Sequence, residues 1–315
     1  MSIEIIGPEA EALLSWQGLT DALEAGHRLP RAEIKDLFLY RGKDTILNRA
    51  AWIDGLAQLV KVATIFPGNG ALGLPSIHGA VNLFDDRTGD LRALVDFHLV
   101  TKWKTAGDSL LSAKRLARPD SGVILILGAG PVARSMVAAY GSHFTDARFL
   151  VWNRTAAGAE AIAATDARVT AVTDLAAAVR QADIVCSATM TKTPILRGEW
   201  LRAGQHIDLI GAYRPDMREA DDEAMRRARI FVDSRATTIH HIGEIMDPIA
   251  NGTITEADIA ADFYDIAAGL YRRSSAEEIT LAKNGGGAHL DLMTAHYIMG
   301  CWTNRREPQA DQSVR

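Results

Sequence analysis

The stretch Val123-Ile124-Leu125-Ile126-Leu127-Gly128-Ala129-Gly130-Pro131-Val132-Ala133 decides the fold that the sequence predicts. Its first five residues are aliphatic without polar alternation, which is typical of a strand buried on both faces in a parallel sheet. Gly128 and Gly130 then predict a tight turn, and a helix follows that runs through Tyr140. Ala133 occupies the third small position of a GxGxxG fingerprint, where a small residue allows close packing of helix and strand.

A strand, a glycine turn and a helix in this order predict a site for a pyrophosphate, because backbone N–H groups and the positive helix end face the turn. The fingerprint alone is weak evidence, since a glycine turn in an α/β sheet can also bind nothing. The turn residues that we predict to contact a dinucleotide are Gly128, Ala129, Gly130, Pro131 and Val132.

Further apolar stretches after this helix alternate with helical ones and predict additional parallel strands. These strands are expected at 147–152, 168–172, 184–188, 205–212 and 229–233. The pattern predicts an α/β fold with a Rossmann-type doubly wound parallel sheet, whose ligands bind outside the carboxyl ends of the strands. The residues that follow strands at those ends, and that we predict to contact the cofactor, are Asn153, Arg154, Thr155, Ser187, Ala188, Thr189, Gly211 and Tyr213.

The residues after the second strand of this sheet indicate which cofactor binds. An Asp or Glu there would accept hydrogen bonds from the ribose 2′-hydroxyl of NAD. The chain instead has Asn153-Arg154-Thr155, which offers donors and a cation that suit a 2′-phosphate. We therefore expect NADPH, with NADH as a weaker second cofactor. The alternative is that Arg154 is only solvated and that both cofactors are accepted.

The first third of the chain predicts a smaller α+β domain. Residues 10–40 show apolar residues at helical spacing, and residues 39–50 alternate around an Arg41-Gly42-Lys43-Asp44 turn that predicts a hairpin. Further strands are expected at 59–66, 76–84 and 91–96, and a helix from Val100 to Leu116. Lys61 interrupts an apolar strand. It either reaches solvent from an edge strand or points into a cleft as a fixed charge or an acid with a lowered pKa.

Composition limits the classes of partner. The 315 residues are 48% hydrophobic and 23% charged, as in a soluble globular protein, and carry a net charge of −5. This charge disfavours a nucleic acid or an anionic membrane as the main partner. We expect no metal site and a cytoplasmic location, because the chain has only two cysteines and its N-terminus does not have the pattern of a signal peptide.

Taken together, the motifs resemble the ornithine cyclodeaminase/mu-crystallin family over nearly the whole chain. The residues that carry the resemblance are Lys61, Phe66-Pro67-Gly68-Asn69, Gly73-Leu74-Pro75-Ser76, the Leu83-to-Gly89 turn, Thr105-Ala106, Gly128-Ala129-Gly130, Asn153-Arg154, Gly211 to Glu219, and the late glycine loop with Asp291. The resemblance implies a homodimer built through the N-terminal domain and chemistry on a small imino or amino acid. It also implies a substrate and dimerisation domain at 1–118, completed by a helix at 289–315, and an NADP-binding domain at 119–288.

The family divides by reaction, and the segment after Gly211 indicates which branch this chain resembles. Its cyclodeaminases resemble one another in an Asp two residues after this glycine, which handles amine protons. Tyr213 stands there, as in the ketimine-reductase, mu-crystallin-like branch. The resemblance therefore implies NADPH-dependent reduction of a cyclic imino acid, with Δ1-pyrroline-2-carboxylate to L-proline as first candidate. The alternatives are an ornithine cyclodeaminase, another amino-acid dehydrogenase, and a non-catalytic NADPH-binding crystallin-like protein.

The resemblance also implies the substrate residues. Lys61 matches the family lysine that contacts the substrate carboxylate beside the reacting centre, and we predict it to be catalytic. Lys104 replaces the usual arginine before Thr105-Ala106, so a point charge replaces a bidentate clamp, and Thr105 is expected at the cofactor. Ser76 matches a substrate-side threonine. A second cation is expected from the hairpin, Arg41 in preference to Arg49.

Overall fold

Strands and helices alternate through the second half of the chain, as predicted. The computed structural model describes residues 3–305. The strands are β1 (Glu4–Ile6), β2 (Glu33–Arg41), β3 (Asp44–Ile53), β4 (Ala57–Ile65), β5 (Ile77–Phe84), β6 (Leu91–Asp96), β7 (Val123–Leu127), β8 (Arg148–Trp152), β9 (Val169–Val172), β10 (Ile184–Ser187), β11 (His206–Leu209), β12 (Arg229–Val232), β13 (Ile259–Ala261) and β14 (Thr280–Lys283). The helices are α1 (Trp16–Gly26), α2 (Phe97–Leu116), α3 (Pro131–His143), α4 (Ala156–Ala163), α5 (Leu175–Gln181), α6 (Asp222–Arg227), α7 (Arg235–Thr238), α8 (Gly243–Ala250) and α9 (Ala288–Asn304).

The chain forms two units. Among the described residues, one unit comprises those up to Lys104 together with those from Gly287 onward, and the other comprises Thr105–Gly286. The roles assigned to domains 1–118 and 119–288 stay predictions, and residues 306–315 of the expected terminal helix 289–315 lie outside the described residues.

An eight-stranded parallel sheet forms the second unit. Its order is β13-β12-β14-β11-β10-β7-β8-β9, and the strand before the glycine turn, β7, is an interior strand. The aliphatic run of β7 is buried from Ile124 to Leu127, and β8 and β10 pair with it on either side. Since the strands are parallel and Leu127 pairs with both Trp152 and Ser187, their carboxyl ends lie along one edge. The predicted α/β doubly wound sheet is confirmed.

A six-stranded sheet forms the first unit in the order β1-β6-β5-β4-β3-β2. Strands β2 to β6 are antiparallel, and β1 is parallel to β6. Helix α9 packs on α1 and on strands β3 and β4. Since β4 has a neighbour on each side, the alternative that Lys61 lies on an edge strand is wrong.

The helix predicted to continue to residue 40 is also wrong, because residues 33–41 form β2. The apolar residues Ile34, Leu37 and Phe38 fit a helical spacing, but nine backbone pairings with β3 hold this segment extended. The hairpin itself is confirmed, and Gly42 takes a positive φ of 59° in its turn. Tertiary pairing thus overrides a local pattern, as it often does for short segments.

Strand β14 was not predicted, because its Lys283 suggests a loop. The strand inserts between β11 and β12, and Lys283 is fully buried. Its Nζ donates to the carbonyl oxygens of Leu209, at 2.7 Å, and Asn284, at 2.8 Å. Two backbone acceptors therefore allow a lysine inside the sheet.

Candidate active site

Lys61 is the centre of a buried charge cluster in the first unit. Buried and half-exposed residues alternate along β4, and Lys61 is on the buried face. Only 6% of its side chain is exposed. The Nζ atom donates to Asp291 Oδ1 and to Thr101 Oγ1, each at 2.8 Å. It also lies 4.7 Å from the ring centre of Phe97. A carboxylate, a hydroxyl and an aromatic face thus compensate the burial of this cation.

Asp291 supplies the opposite charge from the first turn of α9. Its carboxylate is fully buried, and a negative charge there is favoured by the helix dipole. Burial raises the pKa of Asp291, but Lys61, Lys104 and Arg49 outweigh that effect and the pKa is lowered. Asp291 is therefore ionised, with three cations around one anion.

Burial lowers the pKa of Lys61, and the neighbouring charges act in both directions. Asp291 favours the protonated form, whereas Lys104 and Arg49 oppose it. The result is an ammonium group whose pKa lies below its ordinary value. This fits the prediction of a buried lysine with a lowered pKa.

The structure distinguishes the two arginines of the hairpin. Arg49 lies directly opposite Lys61 across strands β3 and β4, and its Nη1 is 3.7 Å from Asp291 Oδ2. Like charges at facing positions repel each other, and the carboxylate of Asp291 compensates this repulsion between Arg49 and Lys61. Arg41 is 80% exposed beside the turn, where it pairs with Asp44 at 2.9 Å. The geometry favours Arg49 as the second cation of the site. Arg41 makes no contact with Lys61 or Asp291 among the described contacts, so the role predicted for it stays a prediction.

The other two predicted substrate residues differ in position. Lys104 is buried, and its spacing from Phe97 and Thr101 places all three on one face of α2. Ser76 is exposed just before β5, and its carbonyl oxygen accepts a hydrogen bond from the Phe66 N–H at 2.7 Å. Lys104 therefore belongs to the charge cluster, whereas Ser76 does not contact it within the described contacts.

The glycine turn of the second unit is shaped for a close ligand. Gly128 has a φ of +106°, and a Cβ there would lie 2.8 Å from the Ala188 carbonyl oxygen. A Cβ at Gly130 would meet nothing within 4 Å, so the turn opens onto space. Gly130 is the N-cap of α3 without a side-chain cap among the described residues. Since the first N–H groups of a helix lack intrahelical partners, the turn fits a pyrophosphate.

The remaining predicted cofactor residues lie along the same edge of the sheet, except Thr105. Asn153 Nδ2 donates to the carbonyl oxygen and hydroxyl of Thr155, at 2.9 and 3.0 Å, and so shapes the turn into α4. Arg154 and Tyr213 are exposed, as are Pro131 and Val132 at the start of α3. Thr105 is half-buried in α2, next to Lys104. Ser187, Ala188, Thr189 and Gly211 follow β10 and β11.

Sequence reasoning did not assign roles to Asp291 and Thr101. The spacing of Phe97, Thr101 and Lys104 was a signal, since it puts a hydroxyl and a cation on one helix face. For Asp291 the only signal was its place in the late glycine loop, because it lies 230 residues from Lys61 in the chain.

Residues 3–305 contain neither a cluster of metal ligands nor a helix that could span a membrane. No group of three or more His, Cys, Asp and Glu side chains is arranged to hold a metal ion. No helix in this range has the length and apolar character to cross a membrane.

Comparison with known proteins identifies the family. The profile described as "Ornithine cyclodeaminase/mu-crystallin family" matches residues 53–306. The chain belongs to this family. It is 52% identical to the Δ1-pyrroline-2-carboxylate reductase of Paracoccus denitrificans over 92% of this chain and 94% of that protein. It is 36% identical to the mouse ketimine reductase mu-crystallin over 79% of this chain and 77% of that protein.

A solved structure extends the match to three dimensions. The Thermococcus litoralis Δ1-pyrroline-2-carboxylate reductase, in complex with NADH and L-proline, superposes with a TM-score of 0.87 at 28% identity. The superposition covers 96% of this chain and 98% of the Thermococcus litoralis chain. The predicted family is confirmed, and so is the prediction that the chain is an oxidoreductase.

Proposed function

We propose that this protein reduces a small cyclic imino acid with NADPH, and that the substrate is Δ1-pyrroline-2-carboxylate, which becomes L-proline. The observation that carries the proposal is the buried cluster in which Lys61, Lys104 and Arg49 surround Asp291. Arg49 is also bound to Asp36, with Nη2 to Oδ2 at 2.6 Å. Three cations and two carboxylates leave one positive charge, which suits the single carboxylate of an imino acid.

Each residue of the cluster has a separate task. NADPH, when bound, supplies the hydride that adds to the imine carbon, while the imine nitrogen carries the proton that completes the amine. Lys61 holds the substrate carboxylate and orients the imine carbon, and Lys104 or Arg49 adds a second positive contact. Thr101 and Phe97 fix the Lys61 ammonium group in place. Asp291 keeps that group charged, so that the carboxylate meets a cation.

Tyr213 supports reduction in preference to cyclodeamination. It is exposed at the position where the family's cyclodeaminases resemble one another in carrying Asp. Imine reduction expels no ammonia, so it does not need a carboxylate for amine protons. The relatives at 52% and 36% identity are both named as reductases, which supports the same reading.

The decisive experiment compares two reactions of the purified protein. NADPH oxidation is followed by absorbance with Δ1-pyrroline-2-carboxylate, and ammonia release is followed with L-ornithine and NAD⁺. We expect imine-dependent oxidation of NADPH and no ammonia. Ammonia and proline from ornithine without imine reduction would replace the proposal by a cyclodeaminase. NADPH binding with neither reaction would indicate a non-catalytic binding protein.

The preference for NADPH over NADH rests on Arg154, which is exposed at the end of β8 and can reach a 2′-phosphate. Arg154→Ala should weaken the binding of NADPH by about tenfold, as the loss of one charge-assisted contact implies. The binding of NADH should weaken much less. The dissociation constants of both cofactors, measured by nicotinamide fluorescence, test this. Equal weakening of the two would remove Arg154 as the basis of preference.

We also propose that the protein is a cytoplasmic homodimer. Apolar side chains on the paired strands β2 and β3 are exposed, among them Leu37, Leu39 and Trp52. Exposed apolar side chains on neighbouring strands are typical of an interaction surface. The mass in solution, measured by light scattering, should be twice that of the chain, and a monomer would contradict the proposal. Both cysteines are free, which suits a reducing compartment.

A further inference from the structure

Glu219 lies fully buried between the segments that follow β10 and β11. Its Oε1 accepts from Ser187 Oγ at 2.6 Å and from the Thr189 N–H and hydroxyl at 2.8 and 2.7 Å. Its Oε2 accepts from the N–H groups of Gly211 at 2.7 Å and Ala212 at 3.0 Å. One carboxylate therefore receives five hydrogen bonds, all from neutral donors.

These contacts hold the two segments together. A Cβ at Gly211 would lie 2.0 Å from the Thr189 carbonyl oxygen and 2.6 Å from Glu219 Oε1, so only glycine fits. The backbone of Glu219 is held in turn. Glu244 is also fully buried and accepts from the N–H groups of Glu219 at 2.6 Å and Ala220 at 3.0 Å.

The position of these two segments in the sheet assigns them to one half of a dinucleotide. The order β11-β10-β7-β8 places the glycine turn after β7 between the ends of β8 and β10. In a doubly wound sheet the two mononucleotide halves bind on either side of this switch point. Arg154 and its neighbours follow β8 on the adenosine side. The segments bound by Glu219 are on the other side, which receives the nicotinamide half.

We propose that Glu219 is a positioning residue that fixes the two segments against which the nicotinamide half of the cofactor binds. The inference rests on the proposed function, since it needs a nicotinamide cofactor. A neutral glutamine offers one acceptor oxygen, and its NH₂ group would face N–H donors of Gly211 and Ala212 or of Thr189. Donors that face donors must separate, so the segments would move even though the side chain keeps its size.

Glu219→Gln and a matched control test the proposal. The control is Glu223→Gln, an exposed residue of α6 that pairs with Arg226. For each protein we would titrate NADPH by its fluorescence and 2′-phospho-ADP-ribose, which lacks nicotinamide, by calorimetry. We expect Glu219→Gln to weaken NADPH by about tenfold and the fragment by less than about twofold. Glu223→Gln should match the wild type for both.

The outcomes separate this inference from the proposed function. Equal weakening of both ligands, or no weakening of either, would overturn the positioning role. A wild-type protein that binds neither NADPH nor NADH would instead overturn the proposed function. If Glu219→Gln lacks a cooperative thermal transition, Glu219→Asp replaces it, because it keeps the charge and loses only reach. That variant should show the same selective loss for NADPH to a smaller extent, and equal losses would again reject the role.

Discussion

Asp291 and Glu219 are both fully buried carboxylates, but they are compensated in opposite ways. Asp291 receives its hydrogen bond from a cation, Lys61, and lies beside two more. Glu219 receives five hydrogen bonds from neutral hydroxyl and backbone donors. A carboxylate with cationic partners controls the charge and protonation of those partners. A carboxylate with backbone donors controls where the backbone lies.

The comparison assigns different measurable properties to the two residues. Changes around Asp291 should alter the pH dependence of the reaction, because the pKa of Lys61 depends on its charge. Changes at Glu219 should alter cofactor affinity and leave the alkaline side of the pH dependence in place, since its donors do not titrate and the neighbouring Glu244, whose pKa burial and Glu219 raise to about 7, titrates below that range.

Replacement of Lys61 should have the largest effect, because it removes both the catalytic cation and the partner of Asp291. Lys61→Met should lower kcat for imine reduction by about 10²- to 10⁴-fold, the range that such groups contribute. The free energy of unfolding should fall by about 3–5 kcal/mol, because a buried charge loses its partner. Steady-state kinetics and chemical denaturation measure the two effects, and the dissociation constant of NADPH should stay unchanged.

A double variant separates catalysis from stability in this experiment. Lys61→Met combined with Asp291→Leu removes both charges of the pair, so it should recover part of the lost stability, since Lys104 and Arg49 remain, without recovering activity. Activity comparable to the wild type in either variant would contradict the role of Lys61. A stability loss in the double variant as large as in the single one would contradict the pairing.

The two hairpin arginines should differ by a smaller amount. Arg49→Lys loses the planar fork that binds Asp36 and lies next to Asp291, so KM for the imino acid should rise by about tenfold. Arg41→Lys is the matched control, since Arg41 is exposed and contacts only Asp44 and the Phe66 ring in the described contacts. Steady-state KM values decide between them. A larger effect at Arg41 would restore the choice made from the sequence.

The sequence was sufficient for strands β7 to β12 of the second unit because their signals are local, whereas β13 and β14 were not predicted. The five aliphatic residues of β7, the glycine turn and the start of α3 are contiguous, and each strand end was visible as a polar or glycine residue after an apolar run. Burial on both faces of a parallel sheet produces that pattern directly. The family resemblance then added the reaction class, which the residues alone left open.

The charge cluster of the first unit was only partly predictable. Lys61 could be predicted as a functional residue because a charge in an apolar strand needs a partner. Nothing in the local sequence identifies Asp291 as that partner. The choice of Arg41 over Arg49 depended on strand register, which was not available because the first part of β2 was predicted to be helical. Lys283 was missed for a related reason, since one of its two carbonyl acceptors, that of Leu209, belongs to another strand.

The most direct test of the account is the pH dependence of kcat/KM for imine reduction, from neutral to alkaline pH, in the wild type and in Asp291→Asn. Loss of the Asp291 charge destabilises protonated Lys61, so the alkaline limb should move to lower pH by about 1 to 3 units. The ionisation of the substrate is common to both proteins and cancels in the comparison. Glu219→Gln, measured alongside, should lower affinity for NADPH while its alkaline limb coincides with that of the wild type. An alkaline limb that stays in place in Asp291→Asn, or moves to higher pH, would contradict the claim that the Lys61–Asp291 pair is the charge centre of this reductase.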